Sequence, residues 1–378
     1  MIGCLAVNAR RAAAGGVLML LLAACGPKPT LSPAMLACLN PERSPPALAR
    51  KVSACSGLIA TAQGDDLRTA LRARGAAYRR QANYAAALQD FDRALGLKRD
   101  DATALDGRGL VFMAQGNLVR ASADFDRAIQ VEPAGAAAYN NRGVVEQRRG
   151  DYAGALRDEN RAIELGPRTA NHWANRGLTY LARRQFELAI ADFADALKID
   201  PNQVSALDGL GDAERGKGDI ADALEAYNEA ATSYFNVQQY SRALAEADKA
   251  LAVKSDDPET LNNRCWTRAV ANLELDRALA DCQRSLQVRP GDAATLDSLA
   301  FVHFRMGQFS LAITGYGAAL ATNPKQAPSL YMRGVARLRA GDADAGRADI
   351  DAAEQMDNSV AGQFASYGVT PPAAGAAQ

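Results

Sequence analysis

Glycine recurs at Gly75, Gly109, Gly143, Gly177 and Gly211, at one strictly constant interval. Self-similarity of this kind marks a chain built from stacked copies of one small unit, none of which can bury its apolar face alone. Other columns keep step with the glycines. Ala94, Ala128, Ala162 and Ala196 share one offset, Phe91, Phe125 and Phe193 another, and Pro133, Pro167 and Pro201 close successive units. A large residue (Leu71, Leu105, Tyr139, Trp173, Leu207) stands at i−4 from each glycine, on the same face of a helix. Glycine inside a helix costs about 1 kcal/mol against alanine. Its recurrence there requires a packing cause, a second helix that must come very close. A separate set, Gly116, Gly150, Gly218, Gly307 and Gly341, falls between the two helices of its units, where a left-handed residue can end the first.

These columns resemble the tetratricopeptide repeat, a helix-turn-helix whose period is the same as that of the glycines, over residues 68–357. The resemblance implies an all-α fold, a solenoid of stacked helical hairpins wound as a right-handed superhelix, with the first helices lining a concave groove. Composition agrees, since aromatics are only 6% and the chain is rich in alanine, which favours close-packed helices over sheets. The register falters once. From Gly211 to Cys265 the step is longer than one interval and well short of two, so part of a unit is missing. The segment 219–235 reads equally as the second helix of the unit at Gly211 or as the first helix of one centred on Ala231. One helix serving two units, with a break in superhelical phase, is the expectation. Later units begin at Leu261 and Cys265, at Leu296 and Ala300, and at Leu330 and Gly334, and the array ends near Asp357. Residues 358–370 read as a capping helix over the last unit's apolar face, and 371–378 as a disordered tail.

The start of the chain follows different rules. Arg10 and Arg11 precede an apolar run, AAAGGVLMLLLAA, and small residues lead into Cys25. That is the layout of an export signal, too short for the roughly 20 residues of a membrane span. Leu22-Ala23-Ala24-Cys25 resembles the lipobox of bacterial prolipoproteins, which implies cleavage after residue 24 and a lipid on Cys25. Residues 1–24 are then signal peptide and 25–33 a Pro-stiffened tether. Residues 34–67 read as capping helices ahead of the array. The chain carries 43 basic and 43 acidic residues, and loss of the leader removes two arginines. Nothing in that balance marks a nucleic-acid partner. The implied location is the bacterial envelope, on a membrane and facing the periplasm, with the outer membrane favoured.

The cysteines agree with an oxidising compartment. Apart from Cys4 and Cys25, the chain holds Cys38 and Cys55, and Cys265 and Cys282, two pairs with the same separation. Four cysteines allow three connectivities. Proximity and hairpin geometry favour the local one, because Cys265 takes the place of the glycine column and Cys282 faces it from the second helix. Bridged there, they staple the hairpin with about 3 kcal/mol of chain-entropy stabilisation. Cys38 and Cys55 staple a hairpin before the array, with its turn over Pro41–Pro46. Free buried thiols, or a catalytic thiol, are the alternative.

Little points to catalysis. There are two histidines, His172 and His303, and no phosphate-binding loop, nucleophile elbow or zinc-protease motif. No cofactor or metal is expected. Glu146 and Glu159 stand where other units carry aromatics; an acid/base pair is one reading, pairing with Arg142, Arg157 or Arg161 the other. For binding, Asn141, Asn175 and Asn263 precede Arg-Gly or Arg-Cys. The family resemblance implies that an asparagine here holds the backbone of an extended peptide, for which an amide supplies donor and acceptor. Helical phase adds Arg72, Arg79, Arg148 and Trp266 to the same groove, Trp266 as its hot spot. Where the chaperone-binding subfamily has its carboxylate clamp this chain has Thr69, Thr103, Ala137 and Asn171, so capture of a C-terminal carboxylate is not expected. The functional expectation is an envelope adaptor binding periplasmic or outer-membrane proteins or peptides, as in pilus or secretin assembly, outer-membrane protein insertion or control of cell-wall enzymes. An enzyme using Glu146 and Glu159, or a structural spacer, are the alternatives.

Overall fold

The computed structural model describes residues 31–41 and 44–372, and every regular element among them is a helix. The chain divides into two compact units, one up to Leu97 and one from Lys98. The signal peptide and Cys25 lie outside the described residues, as do most of the tether and residues 373–378 of the tail. No described helix is long and apolar enough to cross a membrane.

The first unit contains α1 (Pro33–Leu39), α2 (Pro45–Ile59), α3 (Gly64–Arg80) and α4 (Tyr84–Leu97). Cys38 and Cys55 are bonded, with Cα atoms 4.7 Å apart, and tie α1 to α2. Arg74 of α3 joins that pair to the first repeat hairpin by donating to Ser56 Oγ at 2.9 Å.

The second unit runs through the hairpins α5 (Ala102–Ala114) with α6 (Leu118–Val131), α7 (Ala136–Arg149) with α8 (Tyr152–Leu165), and α9 (Ala170–Ala182) with α10 (Phe186–Ile199). Next come α11 (Val204–Lys217), α12 (Ile220–Asn236) and α13 (Tyr240–Val253). The last hairpins are α14 (Pro258–Ala271) with α15 (Leu275–Val288), α16 (Ala293–Arg305) with α17 (Phe309–Thr322), and α18 (Ala327–Ala340) with α19 (Ala343–Met356), followed by α20 (Val360–Ser366).

Turn chemistry sets the hairpins. Gly150 adopts φ 82° and ends α7, and the next residue, Asp151, accepts from Gly154 N at 2.9 Å to start α8. The same sequence of left-handed residue and cap recurs at Gly116 with Asn117 and at Gly341 with Asp342. Within the hairpins the recurring glycines do what their spacing requires. A Cβ on Gly109 would sit 2.7 Å from the Phe125 ring, on Gly177 2.7 Å from Phe193, and on Gly211 2.7 Å from Tyr227. At these three positions the first helix presents bare backbone, and the second sets an aromatic ring against it. In α14 and α15 a disulfide replaces this contact: Cys265 and Cys282 are bonded across the hairpin with Cα atoms 5.6 Å apart.

Beside most of these positions runs a second tie that the sequence columns do not announce. Arg74, Arg108, Arg142, Arg176, Arg264 and Arg333 each donate through Nε and Nη2 to both carboxylate oxygens of Asp90, Asp124, Asp158, Asp192, Asp281 and Asp349, at 2.6–2.9 Å. The aspartates are buried and the arginines half-buried. Such forks are stronger and more directional than surface pairs. Several reach further: Arg142 also donates to Asp126, Arg176 to Asn160 and Arg264 to Asp248, all on the preceding second helix. One guanidinium therefore closes its own hairpin and fastens it to the one before.

Removing one partner leaves the other charge half-buried. Asp192→Ala is expected to destabilise the second unit by about 2–4 kcal/mol, whereas Arg176→Met combined with Asp192→Leu recovers most of the loss. Denaturant unfolding of the single and double variants checks this, and equal losses in both would contradict the account.

Candidate functional site

The break in register after Gly211 opens the second unit between α11 and α14. α12 is longer than its neighbours, 17 residues against 14 in α11 and 14 in α13, and it packs against α11 on one side and α13 on the other. Towards α11 it acts as a second helix, its Tyr227 ring on Gly211 and its hydroxyl donating to Asp212 at 2.6 Å. Towards α13 it acts as a first helix, with Ala231 in the glycine position and Ala247 in the aromatic position. No ring fills the space between them. The result is an apolar cavity of about 240 Å³ lined by Ala231, Ala243, Ala247, Phe235 and Trp266.

First helices touch one another directly from α5 through α11 and again from α14 through α18. Between α11 and α14 a cleft of about 750 Å³ opens, floored by α12. Leu207 and Leu224 give it an apolar base, and Glu225, Glu229 and Glu259 its charge. None of these three carboxylates forms an ion pair among the described residues, and no basic side chain lines the cleft. Thr232, Asn236 and Asn263 belong to both the cleft and the apolar cavity, so the two are one continuous site. Its walls are tied by Thr260 Oγ1, which donates to Asn228 at 2.9 Å, and by Lys249, which pairs with Asp208.

A family model for the tetratricopeptide repeat matches residues 72–130, 107–170, 174–234 and 299–361. The chain belongs to the tetratricopeptide repeat family. The matches skip 235–298, the stretch that holds α13 and the disulfide hairpin. Solved tetratricopeptide repeat structures share the fold. One, from a functional characterization of pilF of Pseudomonas aeruginosa, is 19% identical, with 61% of this chain and 96% of that one covered and a TM-score of 0.43. MamA from Desulfovibrio magneticus RS-1 is 21% identical, with 46% and 98% covered and a TM-score of 0.40. YrrB, described as having an unusual peptide-binding site, is 18% identical, with 55% and 95% covered and a TM-score of 0.34. No curated protein matches the chain.

The tetratricopeptide asparagines divide by environment. Asn141 donates to Asp106 at 2.7 Å and Asn175 to Asn140 at 2.9 Å, each bonding to the preceding first helix. They form a ladder between units. Asn263 lies in the same column but lines the cleft, and its side-chain amide has no protein partner among the described residues. Trp266 is half-buried, one turn away, with its ring 5.0 Å from Phe301 and 6.1 Å from Tyr367. Arg148 is exposed and reaches Met113 O at 3.4 Å; Arg72 belongs to the first unit and donates to Thr69. Of the expected groove residues, the structure brings Asn263 and Trp266 together. It adds Phe235, Asn236, Glu225 and Glu229, signalled in the sequence by the absence of an aromatic at Ala247.

Glu146 and Glu159 share no hydrogen bond among the described residues. Glu159 is fully buried and accepts from Thr179 Oγ1 at 2.7 Å, while its second oxygen and one oxygen of Glu146 lack partners. The arginines expected to pair with them bond elsewhere, Arg142 to Asp158 and Asp126, Arg161 to Glu164. Burial pushes each carboxyl up to about 7. Burial also lifts Glu246 to about 7, with nearby Asp208 adding to the rise and Lys249 opposing it. His172 donates from Nδ1 to Gly166 O, 3.1 Å away, inside its turn. Glu214, Asp219 and Asp222 approach one another closely enough for a metal, but Asp219 caps α12 and Glu214 pairs with Lys217 at 3.6 Å.

A carboxyl with a higher pKa folded than unfolded holds its proton more tightly in the folded chain. Its contribution to stability is complete below about pH 4.5 and is lost as the pH rises through about 7. The melting temperature is therefore expected to fall between about pH 5 and pH 8. Glu159→Gln, which keeps the acceptor for Thr179 without the charge, should flatten that fall, and an unchanged pH profile would contradict the burial argument.

Proposed function

We propose that this protein is an adaptor that docks an exposed segment of a partner protein in the site between α11 and α14. Tetratricopeptide repeat proteins bind peptides or proteins, and the observation that carries the reading here is the two-part site at the break in repeat register. Its apolar cavity of about 240 Å³ suits one aromatic side chain. The adjoining cleft, with Glu225, Glu229 and Glu259 outside any ion pair among the described residues, suits a neighbouring cation. Asn236 and Asn263, between the two, offer amide donors and acceptors to a peptide backbone. The fitting partner is a segment with an aromatic residue next to lysine or arginine.

The proposal extends to location. The leader ending at Cys25 supports a lipoprotein held on a membrane of the bacterial envelope and facing the periplasm, with the outer membrane favoured. Two disulfides inside hairpins suit an oxidising compartment. Partners would then be periplasmic or outer-membrane proteins, such as those of pilus or secretin assembly. A purely structural spacer is the second reading, favoured by the asparagine ladder that joins units through Asn141 and Asn175.

Ala231→Gly with Ala247→Phe rebuilds the ring contact of the other hairpins and fills the cavity. This double variant should fold at least as stably as the natural chain yet lose the partner captured by a photo-crosslinker placed at Glu229 in intact cells. Retention of the same crosslinks by the filled variant would sink the adaptor reading at this site. Cys25→Ser is expected to move the protein from the membrane to the soluble fraction.

A further inference from the structure

The first helices of the last three hairpins present an aromatic floor made of Trp266, Phe301 and Tyr331. The chain's own C-terminal segment lies on it. Phe364 stacks on Tyr331 with centroids 5.6 Å apart and leans on Phe301 at 5.9 Å, and Tyr367 meets Trp266 edge-on at 6.1 Å. Phe364 and Val369 are 1% and 4% exposed. The segment therefore crosses α14, α16 and α18, well beyond the end of the last hairpin that a terminal cap needs to cover.

Two arginines grip its backbone. Arg305 is half-buried without a carboxylate partner among the described residues. It donates to the carbonyls of Ala269 and Val270 at the end of α14, at 3.1 and 3.2 Å, and to the Tyr367 carbonyl at 2.5 Å. Arg339 donates to the Thr370 carbonyl at 3.3 Å. By contrast, Arg264 and Arg333 on two of the same three helices are committed to Asp281 and Asp349. Carbonyls carry no side-chain identity, so this grip recognises any backbone that brings two aromatic rings to i and i+3. Val360 and Val369 are buried in the same core, and beyond this apolar contact the segment has little of its own to hold its shape. α20 spans only Val360–Ser366, far below the length at which an isolated helix is stable, and residues 358–372 contain no charged side chain.

We propose that the face of α14, α16 and α18 is a docking surface for a short uncharged segment with aromatic residues at i and i+3, and that Val360–Thr370 occupies it in cis until such a segment displaces it. A tethered occupant competes at an effective concentration of about 1 mM. A free segment alone gains little hold, whereas a partner already anchored elsewhere competes on equal terms. The face shares Trp266 with the apolar cavity beside the cleft, while Phe301, Tyr331 and Arg305 lie outside both.

The test uses a chain ending at Asn358 and a synthetic peptide of residues 359–372, in a Trp173→Phe background so that fluorescence reports Trp266. The shortened chain should stay folded and bind the peptide, with affinity for the intact chain at least tenfold weaker. Arg305→Met in the shortened chain, or Phe364→Ala in the peptide, should weaken binding at least tenfold. In the intact chain, backbone amides of residues 360–370 should exchange with solvent ahead of those of α18 and α19. A shortened chain that unfolds or ignores the peptide, or a segment that exchanges only together with α18 and α19, overturns the proposal and makes the segment a permanent cap. Arg305, Phe364 and the exchanging amides of residues 360–370 lie outside both the cleft and its apolar cavity, so this idea and the adaptor site fail separately.

Discussion

The closest approach of two antiparallel helices governs this molecule. At Gly109, Gly177 and Gly211 the first helix gives up a side chain so that a ring of the second can lie on its backbone. Beside that contact, in most hairpins, an arginine and an aspartate are forced together at the edge of the apolar seam, where a fork of two hydrogen bonds is directional enough to set the rotation of one helix against the other. The hairpins of α11 with α12 and of α16 with α17 lack the fork, carrying Leu210 and Leu299 in its arginine column. Those hairpins rely chiefly on burial, and one of them borders the break.

The break follows from the same rule. With α12 shared between two neighbours, its second partnership has alanine on both sides where a glycine and a ring belong. A small void opens there, and a wider cleft opens beside it because the row of first helices is interrupted. The site is a by-product of packing that fails locally while its surroundings hold. Lys249 and Thr260 keep the walls in place by bonding to Asp208 and Asn228.

Much of this is legible in the sequence. The glycine and phenylalanine columns point to the hairpins, the irregular step from Gly211 to Cys265 to the shared helix, and cysteines standing in those columns to the staple. The forks are equally visible, as arginine before Gly75, Gly109, Gly143 and Gly177 and aspartate before Phe91, Phe125 and Phe193, but charged helical residues read by default as solvated or groove-facing. Glu159 shows the opposite error, since its sequence neighbourhood suggests an arginine partner and a threonine hydroxyl takes that place. Asn141 and Asn175 look like free amides because their partners, Asp106 and Asn140, stand a whole repeat back on another helix. The C-terminal segment's path is out of reach for a similar reason: Arg305 and Tyr367 are far apart in the chain, and no local pattern joins them.

The bond between Cys265 and Cys282 has a mechanical side. It locks the hairpin of α14 and α15 beside the cleft, and Arg264 and Arg268 both hold Asp281 within it. The facing wall, α11 with α12, has no covalent tie and no fork. Any widening of the site is thus taken up on one side only, by a hinge at the shared helix, while the half that carries Trp266 and the C-terminal segment moves as a block. In a reducing environment that asymmetry would shrink to what the two arginines on Asp281 supply, leaving a softer edge against which an incoming segment is levered into place.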